Sequence, residues 1–465
     1  MVGSCDARIR LTSTADNAYQ RRMMPPESEL MLILAPDRYV LRACRRLGVP
    51  HVVVYGARHR DLAFQEIPAP AIPVFCEDHH KPEAVLTALH RAGFGDRQFT
   101  AVQTTIEPLL ITASILGRAL GARVLSPTTA VLFRDKFLQK QRIADAGLAT
   151  ARSVLIDDIF ALEPDFVMPF ERGVLKPVTG LATQTTSVVD GLDDLLATAR
   201  RHRQQRISSR TFVLEEFITG DEWTADGVVS DGELLFYGLG RYEQPCLATL
   251  QDNAPLSMRK FDPHSESWAY AAADDMVRAA LDALGLTDGV FHMELFHDPQ
   301  SGRVVFSECA ARRGGALTEE EILAKFGVDL GEAAVQCALG WKPELDVRIR
   351  PGTVGSVYFT SRPGTLAACP SPAELTDLPD VSFARIELPI GYRMAGAAAS
   401  TTTRIGMAMI NAADPQSLER RRAEVLRWFD ERLVVIPAAT TGAELRDWHR
   451  GVSGTDEFAD VLYGE

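Results

Sequence analysis

Residues 289–315 read GVFHMELFHDPQSGRVVFSECAARRGG, and the two carboxylates among them decide how the chain is to be read. Apolar alternation on either side of DPQSG predicts a β-hairpin, with Glu294 on one strand and Glu308 closing the other. Burying Glu308 alone would cost several kcal/mol or force it to protonate. Two such groups within a few Å cannot both ionise cheaply without a cation. Mg²⁺ answers that need, because it takes one or two protein carboxylates and completes its shell with nucleotide phosphates and water. Arg312 or Arg313 would then face a transferring phosphate. The plain alternative is a surface hairpin carrying two unrelated glutamates.

Outward from the hairpin, earlier segments offer matching chemistry. LEEFITGDEW (214–223) ends an apolar strand on Glu215 and Glu216. A strand end exposes backbone N–H and C=O groups that can copy a base pair's edge against adenine, and the Glu222 carboxylate can accept both ribose hydroxyls. An acidic turn is the alternative. GVLKPVTGLATQTT (173–186) places Lys176 on a strand and follows it with small hydroxyl residues, whose N–H and Oγ donors could wrap phosphate oxygens. Lys136, at the start of a helix in RDK, is a second candidate cation. A lysine on a solvent-facing strand explains Lys176 equally well in isolation.

The remaining chain sets the frame. From Glu29 to about Ser126, strands such as LMLILA and HVVVYG alternate with helical patterns, which predicts a parallel sheet wrapped by helices. No GxGxxG follows the first strand, where LAPDR stands instead, and this disfavours a dinucleotide site. After residue 126 the pattern turns to hairpins, one of them turning at Asp231-Gly232. From Pro351 onward come further strands and one amphipathic helix, PQSLERRRAEVLRWFDERL. Residues 1–28 carry no apolar stretch of a secretory signal and are expected to be a loose leader.

Bulk properties exclude several classes. Forty-nine basic against 62 acidic side chains, a net charge of −13, argue against a nucleic-acid partner. The basic run RRHRQQR (200–206) reads as a solvated helix end. No segment approaches the ~18 apolar residues of a membrane span. Seven cysteines without CxxC pairs fit a reducing cytoplasm and disfavour zinc.

Taken in order, these motifs resemble the ATP-grasp superfamily over about residues 30 to 440, and within it the carboxylate–amine ligases known as L-amino-acid (dipeptide) ligases. The resemblance implies an α/β and α+β fold: a Rossmann-like pre-ATP-grasp domain at 29–126, ATP-grasp lobes at 127–210 and 211–345, and a β-rich C-terminal lobe at 346–465. It implies ATP and Mg²⁺ as cofactors and small-molecule carboxylate and amine substrates, and a homodimer is common among such relatives. Carried over by position, Lys136 and Lys176 touch ATP phosphates, with Thr183 donating from the loop. Glu215, Glu216 and Ile218 form the adenine hinge, Glu222 binds ribose, and Glu294 and Glu308 hold Mg²⁺. Arg312 stabilises the transferred phosphoryl group and the acyl phosphate. The polar loop 241–260 is expected to select substrate, with Arg241, Arg259, His292 and Arg313 pairing with a substrate carboxylate. Two departures stand out: Ala310 replaces the asparagine of the E-x-N-x-R pattern, and the loop after Lys176 has one glycine, Gly180. A biotin-carboxylase-like or purine-pathway ligase, and a nucleotide-binding protein without turnover, are the alternatives.

Overall fold

The computed structural model describes residues 30–57, 71–181, 183–247, 249, 254–360, 362–394 and 404–437. The expected leader at 1–28, residues 248 and 250–253 of the polar loop, and the chain after 437 lie outside the described residues.

The N-terminal segment is the parallel layer its cadence predicts. β1 (Met31–Leu34), β2 (His51–Tyr55), β3 (Ile72–Phe75) and β4 (Ala101–Gln103) pair in the order β3-β2-β1-β4, all parallel. Alternate residues serve the two faces. Leu32, Leu34, Val52 and Val54 pack against helices Pro82–Arg91 and Leu110–Leu120, while Met31, Ile33 and Val53 meet helix Arg38–Leu47 and, from far along the chain, Val335 and Leu339. The connection direction reverses between β1 and β4, and the carboxyl ends of strands at such a point form a crevice. Asp37 follows β1 there and Glu107 follows β4. Asp37 caps the helix, accepting from the Tyr39 and Val40 amides at 3.0 Å each, so a carboxylate already occupies the first-turn N–H groups that would receive a dinucleotide's pyrophosphate.

A small antiparallel sheet follows, ordered β5-β8-β6-β7, from β5 (Ser153–Ile156), β6 (Arg172–Pro177), β7 (Ser187–Asp190) and β8 (Phe212–Glu216). Helix Gly191–Gln204 covers it through Leu195 and Ala199. Because β8 belongs to this sheet, the boundary expected at 210/211 falls inside it.

The centre is an eight-stranded antiparallel sheet, β13-β12-β9-β10-β11-β14-β18-β16. It is built from β9 (Asp221–Ser230), β10 (Glu233–Tyr242), β11 (Ser257–Lys260), β12 (Gly289–His297), β13 (Val304–Ala310), β14 (Thr353–Phe359), β16 (Val381–Ile386) and β18 (Gly406–Ala412). Asp231 and Gly232, with φ of 50° and 75°, make the tight β9–β10 turn that their sequence predicts. One face is a continuous core in which Trp223, Phe291, Met293, Leu295 and Phe306 pack on helix Ser267–Leu284. The strands after residue 346 do not stand apart as a lobe: β14 pairs directly with β11, and β18 and β16 continue the same sheet. Only β15 (Gly364–Ala368), β17 (Arg393–Met394) and β19 (Val434–Pro437) form a separate small sheet among the described residues.

Candidate functional site

Glu294 and Glu308 are direct register partners on β12 and β13. Strict alternation would not place them so. Phe306 pairs with Leu295 on the core face, and a residue two positions further would share that face. Ser307 is left unpaired between the two pairs, a β-bulge that resets the parity and turns Glu308 out beside Glu294. Across the same face of β9 and β12 lie Glu222 opposite Phe296, Thr224 opposite Glu294, and Asp226 opposite His292.

This face floors a cleft of about 430 Å³ roofed by the β5-β8-β6-β7 sheet, by Gly180, Leu181, Thr183 and Thr186 between β6 and β7, and by residues 217–220 after β8. Its walls include Lys136, Lys176, Thr183, Glu215, Glu216, Ile218, Glu222, Glu294 and Glu308, so the residues expected to hold nucleotide and metal converge from four separate stretches of sequence. Val174, Leu181, Val188, Ile218, Leu256 and Phe296 supply apolar surface for a flat ring.

Within the cleft, charges alternate. Glu308 accepts from Lys136 at 2.8 Å and lies 3.8 Å from Lys176. Glu215 lies 3.0 Å from Lys176 and 3.3 Å from Lys140. Burial alone would raise the Glu308 pKa, but Lys136 and Lys176 outweigh it and hold the carboxyl well below its usual range. The question posed by the glutamate of VVFSEC is therefore met within the protein by lysines. Lys140, 2% exposed, also donates to the Ser307 carbonyl at 2.7 Å; burial pushes it down to about 8, against the pull of Glu215. Glu216 points the other way, into a bidentate pair with Arg152 at 2.8 and 2.9 Å.

Two further carboxylates are tuned by their surroundings. Glu222 accepts the Cys246 amide at 3.0 Å, and burial, reinforced by Glu294, pushes its pKa up to about 7. Asp226, fully buried, holds His292 Nδ1 at 2.7 Å and Lys260 Nζ at 3.1 Å. Burial would lower the His292 pKa, yet Asp226 and Glu294 hold it at about 9. Its Nε2 lies 3.5 Å from Glu294, so His292 serves the carboxylates instead of facing a substrate.

The two arginines of AARRGG are clamped from the crevice of the N-terminal sheet. Arg312 donates to Glu107 at 2.7 Å, and Arg313 donates to Asp37 at 2.7 Å while its guanidinium lies 4.2 Å from the Tyr39 ring centre. Glu107 also takes Arg134 at 2.5 Å. Arg313 is thus a joint to the N-terminal domain, not a group on the cleft wall. The glycines matter for contact: a Cβ on Gly314 would lie 2.5 to 2.8 Å from Thr318 Oγ1, Asp226 Oδ1 and His292 Nδ1.

Arg241 and Arg259 do not face the cleft. They pair with each other in register, and Arg241 opposes Trp223, so both project from the core face, opposite to Tyr242. Arg259 is consumed by Glu266 at 2.9 and 3.0 Å and stacks on Phe261; Arg241 pairs with Asp221 at 3.2 Å. The loop between them contributes Pro245, Cys246 and Leu247 to the cleft instead. Asp37, Glu107, Lys140 and Asp226 were not singled out from sequence. Lys140 stood within reach of such reasoning, because it lies one helical turn after Lys136 and shares its face.

The carboxylate pair suits a hard, oxygen-seeking cation. Both side chains are about one-third exposed toward the cleft, and among the described residues no cluster of three or more His, Cys, Asp or Glu closes a cage. Mg²⁺ needs no such cage when phosphates and waters complete its shell. Ala310, opposite His292 in register, adds no oxygen.

The family profile described as ATP-grasp domain matches residues 171–321. The L-arginine-specific L-amino acid ligase of Bacillus subtilis is 26% identical over 277 residues, covering 58% of this chain and 64% of that protein. Human carnosine synthase 1 is 33% identical over 145 residues, 30% of this chain and 16% of that protein. The chain therefore spans less than two thirds of either relative. The crystal structure of an L-amino acid ligase from Bacillus licheniformis superposes with a TM-score of 0.72 at 19% identity, covering 89% of this chain and all of that one. The expected fold and the resemblance to this group are both borne out.

Proposed function

We propose that this chain, an ATP-grasp fold carrying an ATP-grasp domain, is an ATP-dependent ligase that joins a carboxylate to an amine, between amino-acid-like substrates, through an acyl phosphate. The observation that carries the reading is the register pair Glu294–Glu308, facing Lys136 and Lys176 across a cleft whose wall is the strand end Glu215–Ile218. Adenine would lie against Ile218 and the Glu215–Glu216 backbone, ribose at Glu222, and phosphates at Lys136, Lys176 and Thr183. Glu294 and Glu308 would hold a magnesium ion, which would supply positive charge to offset that of the phosphate oxygens.

The substrate carboxylate oxygen would attack the γ-phosphorus and expel ADP. Lys136 and Lys176, released from Glu308, would bind the phosphate oxygens, and Arg312, aimed by Glu107, would stabilise the transferred phosphoryl group. The amine would then attack the acyl carbon, form the amide bond and expel phosphate, giving up one proton. Phosphate release from ATP in the presence of pairs of amino acids, followed by mass analysis of the products, tests the reading. Amino-acid-dependent ADP formation with a condensed product is expected. ATP turnover that responds to bicarbonate and not to amino acids would replace it with a carboxylase-type reaction. The methyl group of Ala310 favours one further reading, nucleotide binding without turnover, which predicts bound ATP and no ADP in the same assay.

A further inference from the structure

We propose that Gln139 and Lys140 are positioning residues for Glu308: their side chains, in place of a neighbouring strand, hold the outer edge of β13 and fix the bulge that turns this carboxylate into the cleft. The inference deepens the ligase reading and rests on it for what Glu308 binds.

β13 is the terminal strand of the eight-stranded sheet, so one of its edges has no strand to pair with. A buried edge must satisfy its backbone groups in another way. Phe306 does so through the Ala149 carbonyl at 2.8 Å and the Thr150 hydroxyl at 3.1 Å. From Ser307 onward the partners are side chains of helix Lys136–Asp145. Lys140 Nζ donates to the Ser307 carbonyl at 2.7 Å. The Gln139 amide accepts from the Cys309 N–H and donates to the Cys309 carbonyl, both at 2.8 Å. A primary amide offers the same donor and acceptor as a peptide group, so Gln139 copies one link of a missing strand. The two residues grip the backbone on each side of Glu308, and both are 2% exposed.

The grip falls where the geometry is least self-supporting. Ser307 has no register partner, and without the bulge Glu308 would share the core face with Phe306. The Gln139 hydrogen bonds go to the Leu132 carbonyl and the Cys309 backbone, and Gln139 does not line the cleft; its influence on Glu308 runs through the β13 backbone. Lys140 adds a second tie, to Glu215 on β8, and so links the metal strand to the hinge strand.

The test uses the full chain and the variants Gln139→Leu and Lys140→Met. Affinity for a non-hydrolysable ATP analogue is measured with and without Mg²⁺, and Mn²⁺ binding is followed by electron paramagnetic resonance. Loss of an outer partner typically weakens metal affinity by about 10–100-fold. Gln139→Leu should show that loss while keeping wild-type affinity for the metal-free nucleotide, a split that a general loosening of the fold would not produce. Lys140→Met should show it together with weaker metal-free binding through Glu215. A folded variant of either kind whose metal affinity stays within about twofold of wild type overturns the inference and leaves the ligase reading untouched. Wild-type protein that binds no nucleotide at all overturns both.

Discussion

Glu222 offers a sharp pH test of the proposed nucleotide site. Its carboxyl titrates at about 7 because burial penalises the charge and Glu294 adds repulsion, against the help of the Cys246 amide. In the proposed role, only the ionised form would accept both ribose hydroxyls without a competing proton. A group with that pKa is about one-tenth ionised at pH 6 and about nine-tenths at pH 8, so affinity for an ATP analogue should rise about tenfold across the interval. The phosphates of the analogue titrate nearby and contribute equally to a Glu222→Gln variant, so the difference between the two proteins isolates the carboxylate. Stability carries the opposite sign. A carboxyl whose folded pKa is raised contributes fully below its unfolded value of 4.5 and loses that contribution as the pH climbs through about 7. Glu222→Gln should therefore be more stable than wild type at pH 8, by at most about 3 kcal/mol, with no gain at pH 4. Isothermal titration and urea unfolding at the three pH values measure both effects. Identical pH slopes in the two proteins would refute the reasoning.

Further expectations concern the surroundings of the cleft. Arg312→Ala should slow the chemical step by about 10²–10³-fold, roughly 2.7–4 kcal/mol, with nucleotide affinity unchanged; single-turnover phosphate release separates the two. Asp226→Asn should cost up to about 3–5 kcal/mol in urea unfolding at pH 7, because among the described residues it leaves buried Lys260 with Glu321, at 3.5 Å, as its remaining carboxylate. Burial opposes the Asp226 charge, but Lys260 and His292 hold its pKa at about 2, so the penalty should be present above pH 3.8 and fade as pH falls toward 2. Gly314→Ala would push a methyl into Thr318, Asp226 and His292 and should lower stability by about 1–3 kcal/mol; a thermal midpoint equal to wild type would count against the described packing.

Hairpins and helices with strong periodicity were legible in the sequence, and so were the residues whose chemistry is unusual for their setting. Lys176 on an apolar strand, the paired glutamates of β12 and β13, and the Glu215–Glu222 spacing all meet in one cleft. The misreadings have a common physical source. Arg241 and Arg259 were assigned by the length and polarity of the loop between them, yet alternation on β10 and β11 turns them to the face opposite Tyr242 and Lys260. The bulge at Ser307 leaves no compositional mark, although the orientation of Glu308 depends on it. Asp37 and Glu107 lie more than 200 residues from the arginines they hold, and only the strand order of the N-terminal sheet brings them there. The domain limit expected at 346 followed a change of pattern that the sheet itself ignores.

That continuity across β11 and β14 bears on any attempt to shorten the protein. A chain stopped near residue 345 would leave β11 with a bare row of amide and carbonyl groups and strip the apolar cover from its neighbours, conditions that invite strand-to-strand aggregation. The fragment should precipitate when expressed alone and recover solubility when the missing C-terminal piece is supplied in trans.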